Sequence, residues 1–149
     1  MMKKFLSMVV VSLLFAASQM SVSADQQTGR YLKQYKMSSG LTVVVAEGDL
    51  EPRSIGSYSV RIYGVNPEFP TDDFLCGIIW QRDGSVERVI IKDINGDKEE
   101  EIIVVVRSAG TGGYLSADAF DFHNNQLKRV AGVEGLGKNE DPVAALAKK

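Results

Sequence analysis

Cysteine is almost missing from this sequence: of 149 residues, only Cys76 carries a thiol. A lone cysteine excludes an internal disulfide, so the fold must rest on an apolar core rather than on covalent staples. It also excludes a lipid anchor, which needs a cysteine at a signal cleavage site. Histidine is as scarce. His123 is the one imidazole around which a Ser-His-Asp or Cys-His arrangement would have to be built. It precedes Asn124-Asn125 in a predicted turn, and the sequence places no nucleophile beside it. Cys76 falls mid-strand among Leu75, Ile78 and Ile79. A turn histidine and a buried thiol are the simpler readings. Carboxylate pairs of the glycosidase kind leave no diagnostic spacing on strands. The sequence therefore signals no enzyme.

Long hydrophobic runs are absent beyond the first residues. Lys3 and Lys4 precede an apolar stretch from Phe5 to Ala17, and Val22-Ser23-Ala24 offers the small residues at which signal peptidase cuts. The stretch has no polar face, unlike a globular helix, and is short for a bilayer span. Residues 1–24 are expected to be a cleaved signal peptide, and residues 25–149 one exported domain without a membrane anchor. Nor is there a surplus of one charge. The sequence has 17 basic and 19 acidic residues, and without Lys3 and Lys4 the balance becomes 15 to 19. A mildly acidic chain argues against nucleic acid and anionic membranes, and tolerates a basic protein partner.

What is present is a succession of short apolar bursts. Candidate strands are Tyr31–Met37, Leu41–Glu47, Ser57–Tyr63, Phe74–Gln81, Val86–Asp93, Glu101–Arg107, Tyr114–Phe122 and Gln126–Val130. In Ser57–Tyr63 the residues Tyr58, Val60 and Ile62 alternate with Ser57, Ser59 and Arg61, the period of a half-buried strand. Ile102–Val106 is uniformly β-branched, as expected of a central strand covered on both faces. The breaks are Ser38-Ser39-Gly40, Asp83-Gly84, Asn95-Gly96 and Asn124-Asn125; the Asp-Gly and Asn-Gly pairs suit tight hairpins. Gly64–Asp73, with Pro67 and Pro70, reads as a rim loop, and Asp141–Lys149 as a short terminal helix with Pro142 at its first position. Eight strands without a long amphipathic helix predict an all-β fold, a single antiparallel β-sandwich or barrel.

Two loops invite chemistry. Asp93, Asn95, Asp97 and Glu101 occupy positions 1, 3, 5 and 9 of a segment resembling calcium loops, whose alternate side chains turn toward one ion. Lys98 stands at position 6 where glycine is usual, and Val104 at position 12 where a bidentate glutamate belongs. An acidic turn guarding the following strand accounts for the same residues, so no metal or cofactor is assigned. A calcium-stabilised sandwich for sugars or adhesion remains the alternative reading. The other loop is Ser108-Ala109-Gly110-Thr111-Gly112-Gly113-Tyr114. It lacks the Gly-Lys-Ser/Thr ending of a phosphate cradle and the third glycine of a dinucleotide motif. It is slim, rich in hydroxyls and set between two strands, where binding loops are commonly found.

The segment Arg107–Phe120, RSAGTGGYLSADAF, resembles the signature of the bacterial periplasmic inhibitors of invertebrate-type (i-type) lysozyme, which carry a Ser-Gly-x-Tyr loop. Leu41–Tyr63 and Asp93–Val106 are similar to that family too, and the likeness runs from Tyr31 to about Val133. The resemblance implies a β-sandwich exported to the periplasm, a homodimer, no catalytic activity of its own, and a host or other animal lysozyme as partner. The family serine falls on Thr111 and its tyrosine on Tyr114, with Gly112 and Gly113 between. Ser108, Gly110, Thr111, Gly112, Gly113 and Tyr114 are thus the expected lysozyme contacts. Thr111 keeps the hydroxyl but adds a methyl and restricts χ1, so inhibition is expected to persist in weakened form.

Overall fold

A computed structural model describes residues 29–148, and the signal peptide expected over residues 1–24 lies outside the described residues. Eight strands follow one another: β1 (Leu32–Lys36), β2 (Thr42–Glu47), β3 (Ile55–Tyr63), β4 (Phe74–Asp83), β5 (Ser85–Lys92), β6 (Glu101–Arg107), β7 (Leu115–His123) and β8 (Gln126–Leu136). A short helix, α1 (Pro142–Leu146), comes last. The strands form two four-stranded antiparallel sheets, β1-β2-β3-β4 and β5-β6-β7-β8, each a meander in which neighbours in sequence are neighbours in space. All eight expected strands are present, and of the two architectures anticipated the molecule takes the sandwich. No helix among the described residues is long and apolar enough to cross a membrane.

The period-2 pattern explains the core. Tyr58, Val60 and Ile62 of β3 are fully buried while Ser57, Ser59 and Arg61 are not. They meet Val43 and Val45 from β2, and across the sandwich Ile102, Val104 and Val106 of β6 with Phe120 of β7. Removing each such aliphatic side chain from water contributes roughly 1.5–3 kcal/mol. The rings of Tyr58 and Trp80 both meet Phe120 edge-on, with centroids 6.2 and 6.0 Å away.

Strand β6 is buried on both faces, as its uninterrupted β-branched run predicts. What covers its outer face is local: Ile103 and Val105 pack with Leu115, Ala117 and Ala119 of β7 and with Leu146 of α1. The helix is capped by Asp141, whose side chain accepts from the backbone N–H of Val143, and Pro142 opens it. The Asp-Pro start thus folds the chain end back over the outer face of the second sheet, against β7 and β8, as a lid of one helical turn whose Leu146 joins the cluster of Ile103 and Val105.

Two expectations about turns need correction. Asp83-Gly84 makes no hairpin; it carries the chain from one sheet to the other, with Gly84 alone between β4 and β5. Gly84 has φ +121°, and a Cβ there would stand 2.7 Å from the carbonyl carbon of Arg107 and 2.9 Å from the Cα of Ser108. Asn95-Gly96 lies within an open eight-residue connection between Lys92 and Glu101, not in a tight turn. The tight hairpin is made by Asn124-Asn125, both left-handed at φ +50° and +56°, since asparagine tolerates that region better than most residues. Strand β8 continues to Leu136 rather than ending near Val130. Gly132 and Gly135 interrupt its alternation, and its pairing to β7 shifts register between Leu115 and Ala117 and again between Ala119 and Phe120.

Candidate functional site

The connection from β6 to β7 is built by its own residues. Leu115, almost wholly buried, starts β7 and pins the exit of the loop; Arg107 ends β6 at its entrance. The backbone N–H of Ser108 donates to the carbonyl of Tyr114 at 2.9 Å, closing the loop's mouth. At the tip, the N–H of Gly113 donates to the carbonyl of Gly110 at 3.3 Å, so Thr111 and Gly112 occupy the centre of a four-residue turn. Gly113 takes φ +57°, a conformation glycine adopts at no steric cost. The Ser108 hydroxyl accepts from the N–H of Gly110 at 3.2 Å.

All six residues expected to contact lysozyme therefore sit in one loop, but not in one role. Ser108 and Gly113 are half-buried and shape the turn; Gly110, Thr111, Gly112 and Tyr114 are exposed. No residue from 108 to 114 joins either core cluster, so the loop is not folded into the interior. Tyr114, 56% exposed, precedes β7 instead of opening it. Its ring lies over the backbone of Gly112, where a Cβ would stand 2.8 Å from Cδ2.

The sequence pointed to no residue that holds this loop from outside. Arg107 does so: its Nη1 donates to the carbonyl of Gly113 at 2.8 Å, while its Nε pairs with the carboxylate of Glu87 on β5. The signal for Arg107 was a cation closing a run of five β-branched residues. For Glu87 there was none, because its position depends on a local irregularity of β5. Beside Tyr114 opens a cleft of about 670 Å³, lined among others by Ile55, Trp80, Arg82, Asp118 and Arg129. In its wall Asp118 accepts from the Tyr58 hydroxyl at 3.2 Å and from Arg129 Nε at 2.6 Å, and the Arg129 guanidinium lies 5.4 Å from the Trp80 ring centre. Burial, and then the Asp118 charge, push the Tyr58 hydroxyl far above the usual tyrosine pKa.

Elsewhere, the scattered chemistry does not assemble. His123 is exposed, with Nδ1 3.8 Å from a Glu99 carboxylate oxygen, whereas Cys76 belongs to the other sheet, opposite Ile62, its thiol pKa pushed up by burial. Asp93, Asp97 and Glu101 bring carboxylate oxygens within 4.8 Å of one another, the grouping among the described residues that could hold a cation. Protein groups already engage them. Asp93 accepts from the N–H groups of Asn95, Gly96 and Lys98, and the Asn95 side-chain amide bridges Asp97 at 2.9 Å and Glu101 at 2.7 Å. The Gly96 N–H, ahead of those of Lys98 and Asn95, holds the Asp93 carboxyl below the ordinary aspartate range. Burial raises that of Glu101, with Asp97 and Asp93 adding to it. Lys98, at the position calcium loops give to glycine, takes φ +75°.

Comparison with known proteins bears on the same domain. Comparison with curated protein sequences gives no match. Among solved structures, PliI from Aeromonas hydrophila, described as a periplasmic lysozyme inhibitor of I-type lysozyme, is 50% identical, with a TM-score of 0.72, over 77% of this chain and 98% of that one. A crystal structure of Aeromonas hydrophila PliI in complex with Meretrix lusoria lysozyme is 51% identical, with a TM-score of 0.73, over 80% of this chain and 96% of that one. The family model for PliI, periplasmic lysozyme inhibitor of I-type lysozyme, matches residues 29–149. This chain belongs to the family of periplasmic inhibitors of I-type lysozyme.

Proposed function

We propose that this protein is itself an inhibitor of invertebrate-type lysozyme, exported to the periplasm by residues 1–24, whose domain of residues 25–149 blocks the enzyme with the Ser108–Tyr114 loop. The observation that carries the reading is the loop's shape: an exposed turn with glycines at 110, 112 and 113, tipped by Thr111 and flanked by Tyr114, set between the buried run Ile102–Val106 and the buried Leu115. Support comes also from the relative solved in complex with a Meretrix lusoria lysozyme.

The chemistry follows from the target. A lysozyme cleaves its polysaccharide with two carboxyl groups at the base of a cleft shaped for sugar rings. A loop bare of side chains at three positions enters where a bulkier one would collide. The Thr111 and Tyr114 hydroxyls then donate to those carboxylates. Hydrogen bonds to a charged acceptor contribute about 1.5–3 kcal/mol each where water is excluded. A loop that is already turned by its own hydrogen bonds loses little conformational freedom on docking. The calcium-stabilised module is set aside: its acidic loop is occupied by the chain's own donors, and the family is one of enzyme inhibitors.

The test is to mix the mature protein with invertebrate-, chicken- and goose-type lysozymes and follow lysis of bacterial walls. Lysis by the invertebrate-type enzyme should be suppressed near equimolar ratio; lysis unchanged with all three overturns the reading.

A further inference from the structure

Strand β5 contains a β-bulge. Val86 pairs with Val106 and Arg88 with Val105, so Glu87 is an extra residue with no partner across the ladder. Bulges re-aim side chains and are frequent beside functional sites. This one turns the Glu87 side chain, three-quarters shielded from solvent, to Arg107, where its carboxylate pairs with Arg107 Nε and with Arg88 Nη1. Arg107 spends its Nη1 on the Gly113 carbonyl, one peptide before Tyr114. Among the described residues, the loop's other hydrogen bonds are internal, from Ser108, Gly110 and Gly113 to residues of the loop itself. The Arg107 contact is the one among them that ties the tip to the body of the sheet.

We propose that Glu87 and Arg107 form a clamp that holds the 108–114 loop in its binding conformation, with Arg107 and Glu87 acting as positioning residues for the lysozyme contact of Thr111 and Tyr114. This rests on the loop being the inhibitory element. The carboxylate fixes the guanidinium plane by binding one nitrogen, so that the neighbouring nitrogen is aimed at the Gly113 carbonyl. The planar fork of arginine is what permits both contacts at once; a lysine reaches one or the other. Both side chains are partly exposed, 39% for Arg107 and 25% for Glu87. Ion pairs of that kind add little to overall stability. The clamp therefore sets the loop population rather than the melting point. A loop that spends only a fraction of its time in the binding-competent form has its apparent affinity reduced by that fraction.

The experiment compares Glu87→Gln, Arg107→Lys, Arg107→Met and the double variant Glu87→Gln/Arg107→Met with the parent. Three readouts are taken: amide hydrogen exchange of residues 108–114 in the free protein, melting temperature, and association and dissociation rates with an invertebrate-type lysozyme. Expected are faster loop exchange in every variant, unchanged melting temperature, and affinity lower by about tenfold for Arg107→Met, carried mainly by association. Arg107→Lys should be intermediate, and the double variant no worse than Arg107→Met. The inference is overturned if loop exchange is unchanged in Glu87→Gln and Arg107→Met. It is equally overturned if Arg107→Met weakens binding while Glu87→Gln does not, since Arg107 then touches the enzyme directly. Should the parent bind no lysozyme, the proposed function fails, while hydrogen exchange in the free protein still decides the clamp.

Discussion

The ring of Tyr114 lies against the backbone of Gly112, so closely that a Cβ on Gly112 would stand 2.8 Å from the ring's Cδ2 and 3.0 Å from its Cζ. The glycine thus does two things: it thins the loop, and it sets the angle at which the phenol leaves the protein. Gly112→Ala should push the ring aside and weaken lysozyme binding by tenfold or more, about 1.4 kcal/mol. The melting temperature should stay put, because both residues are exposed. Calorimetric titration beside a thermal scan checks it; full affinity would show that the ring position is irrelevant.

Tyr114 offers a second test. Tyr114→Ala should cost about 2 kcal/mol or more in affinity, in the manner of an interface hot spot, and leave stability nearly intact. Tyr114→Phe separates the hydroxyl from the ring and should lose roughly 1.5 kcal/mol if the phenol donates to a carboxylate. A Phe variant as tight as the parent would assign the residue's contribution to packing alone.

The helical lid yields a prediction about stability. Leu146, 2% exposed, covers Ile103 and Val105 of β6. Leu146→Ala should destabilise by about 2 kcal/mol, the low end for buried leucines, because a chain end relaxes more easily than a central strand. Denaturant unfolding measures this. Lysozyme affinity should be unaltered; a loss of affinity would link the lid to the loop through Leu115.

Acid should act at Asp93. Its folded pKa is depressed by the backbone N–H of Gly96 first, then by those of Lys98 and Asn95. A depressed carboxylate contributes stability above its unfolded value, near 3.9, and loses it as pH falls toward the folded value. Asp93→Asn, which keeps one acceptor oxygen, should therefore be less stable than the parent at pH 7, and the gap should close in acid. Urea unfolding from pH 7 to pH 3 tests the sign; a gap independent of pH would show that the Asp93 charge is immaterial.

Cys76 is half-buried on β4, the edge strand of its sheet, opposite Ile62 of β3, and burial raises its thiol pKa. Thiolate is the reactive form. Alkylation should be slow in the folded protein and rapid once it is unfolded in urea, and non-reducing gels should show no disulfide-linked pair. A prompt reaction at neutral pH would place the sulfur closer to solvent than the fold does.

How much of this was legible beforehand depends on whether the determinant is local. The alternation of Tyr58, Val60 and Ile62 and the β-branched run Ile102–Val106 displayed their burial in the sequence, since side-chain direction along a strand follows a period of two. That a loop lies there was legible for a similar reason: three glycines and two hydroxyl residues interrupt two β-forming runs, and glycine disfavours a continued strand. Glu87 was not, because a bulge depends on how β5 meets β6 and leaves no mark in β5 alone. Asp83-Gly84 was misread as a hairpin, since the same dipeptide serves any sharp bend; only the close approach of Gly84 to Arg107 and Ser108 shows that it crosses between sheets.

The sequence by itself determined that this is an eight-stranded all-β domain with a glycine-rich, hydroxyl-bearing loop between its sixth and seventh strands, because propensity and period act over a few neighbouring residues. Tertiary structure alone decided which strands share a sheet, that α1 closes over the outer face of the second sheet, and that a carboxylate on β5 meets the arginine holding the loop. The Glu87–Arg107 pair and the packing of Leu146 with residues of β6 and β7 join positions twenty or more apart. Pairing and packing across such distances are settled by the whole chain's burial and hydrogen bonding, which no short stretch encodes.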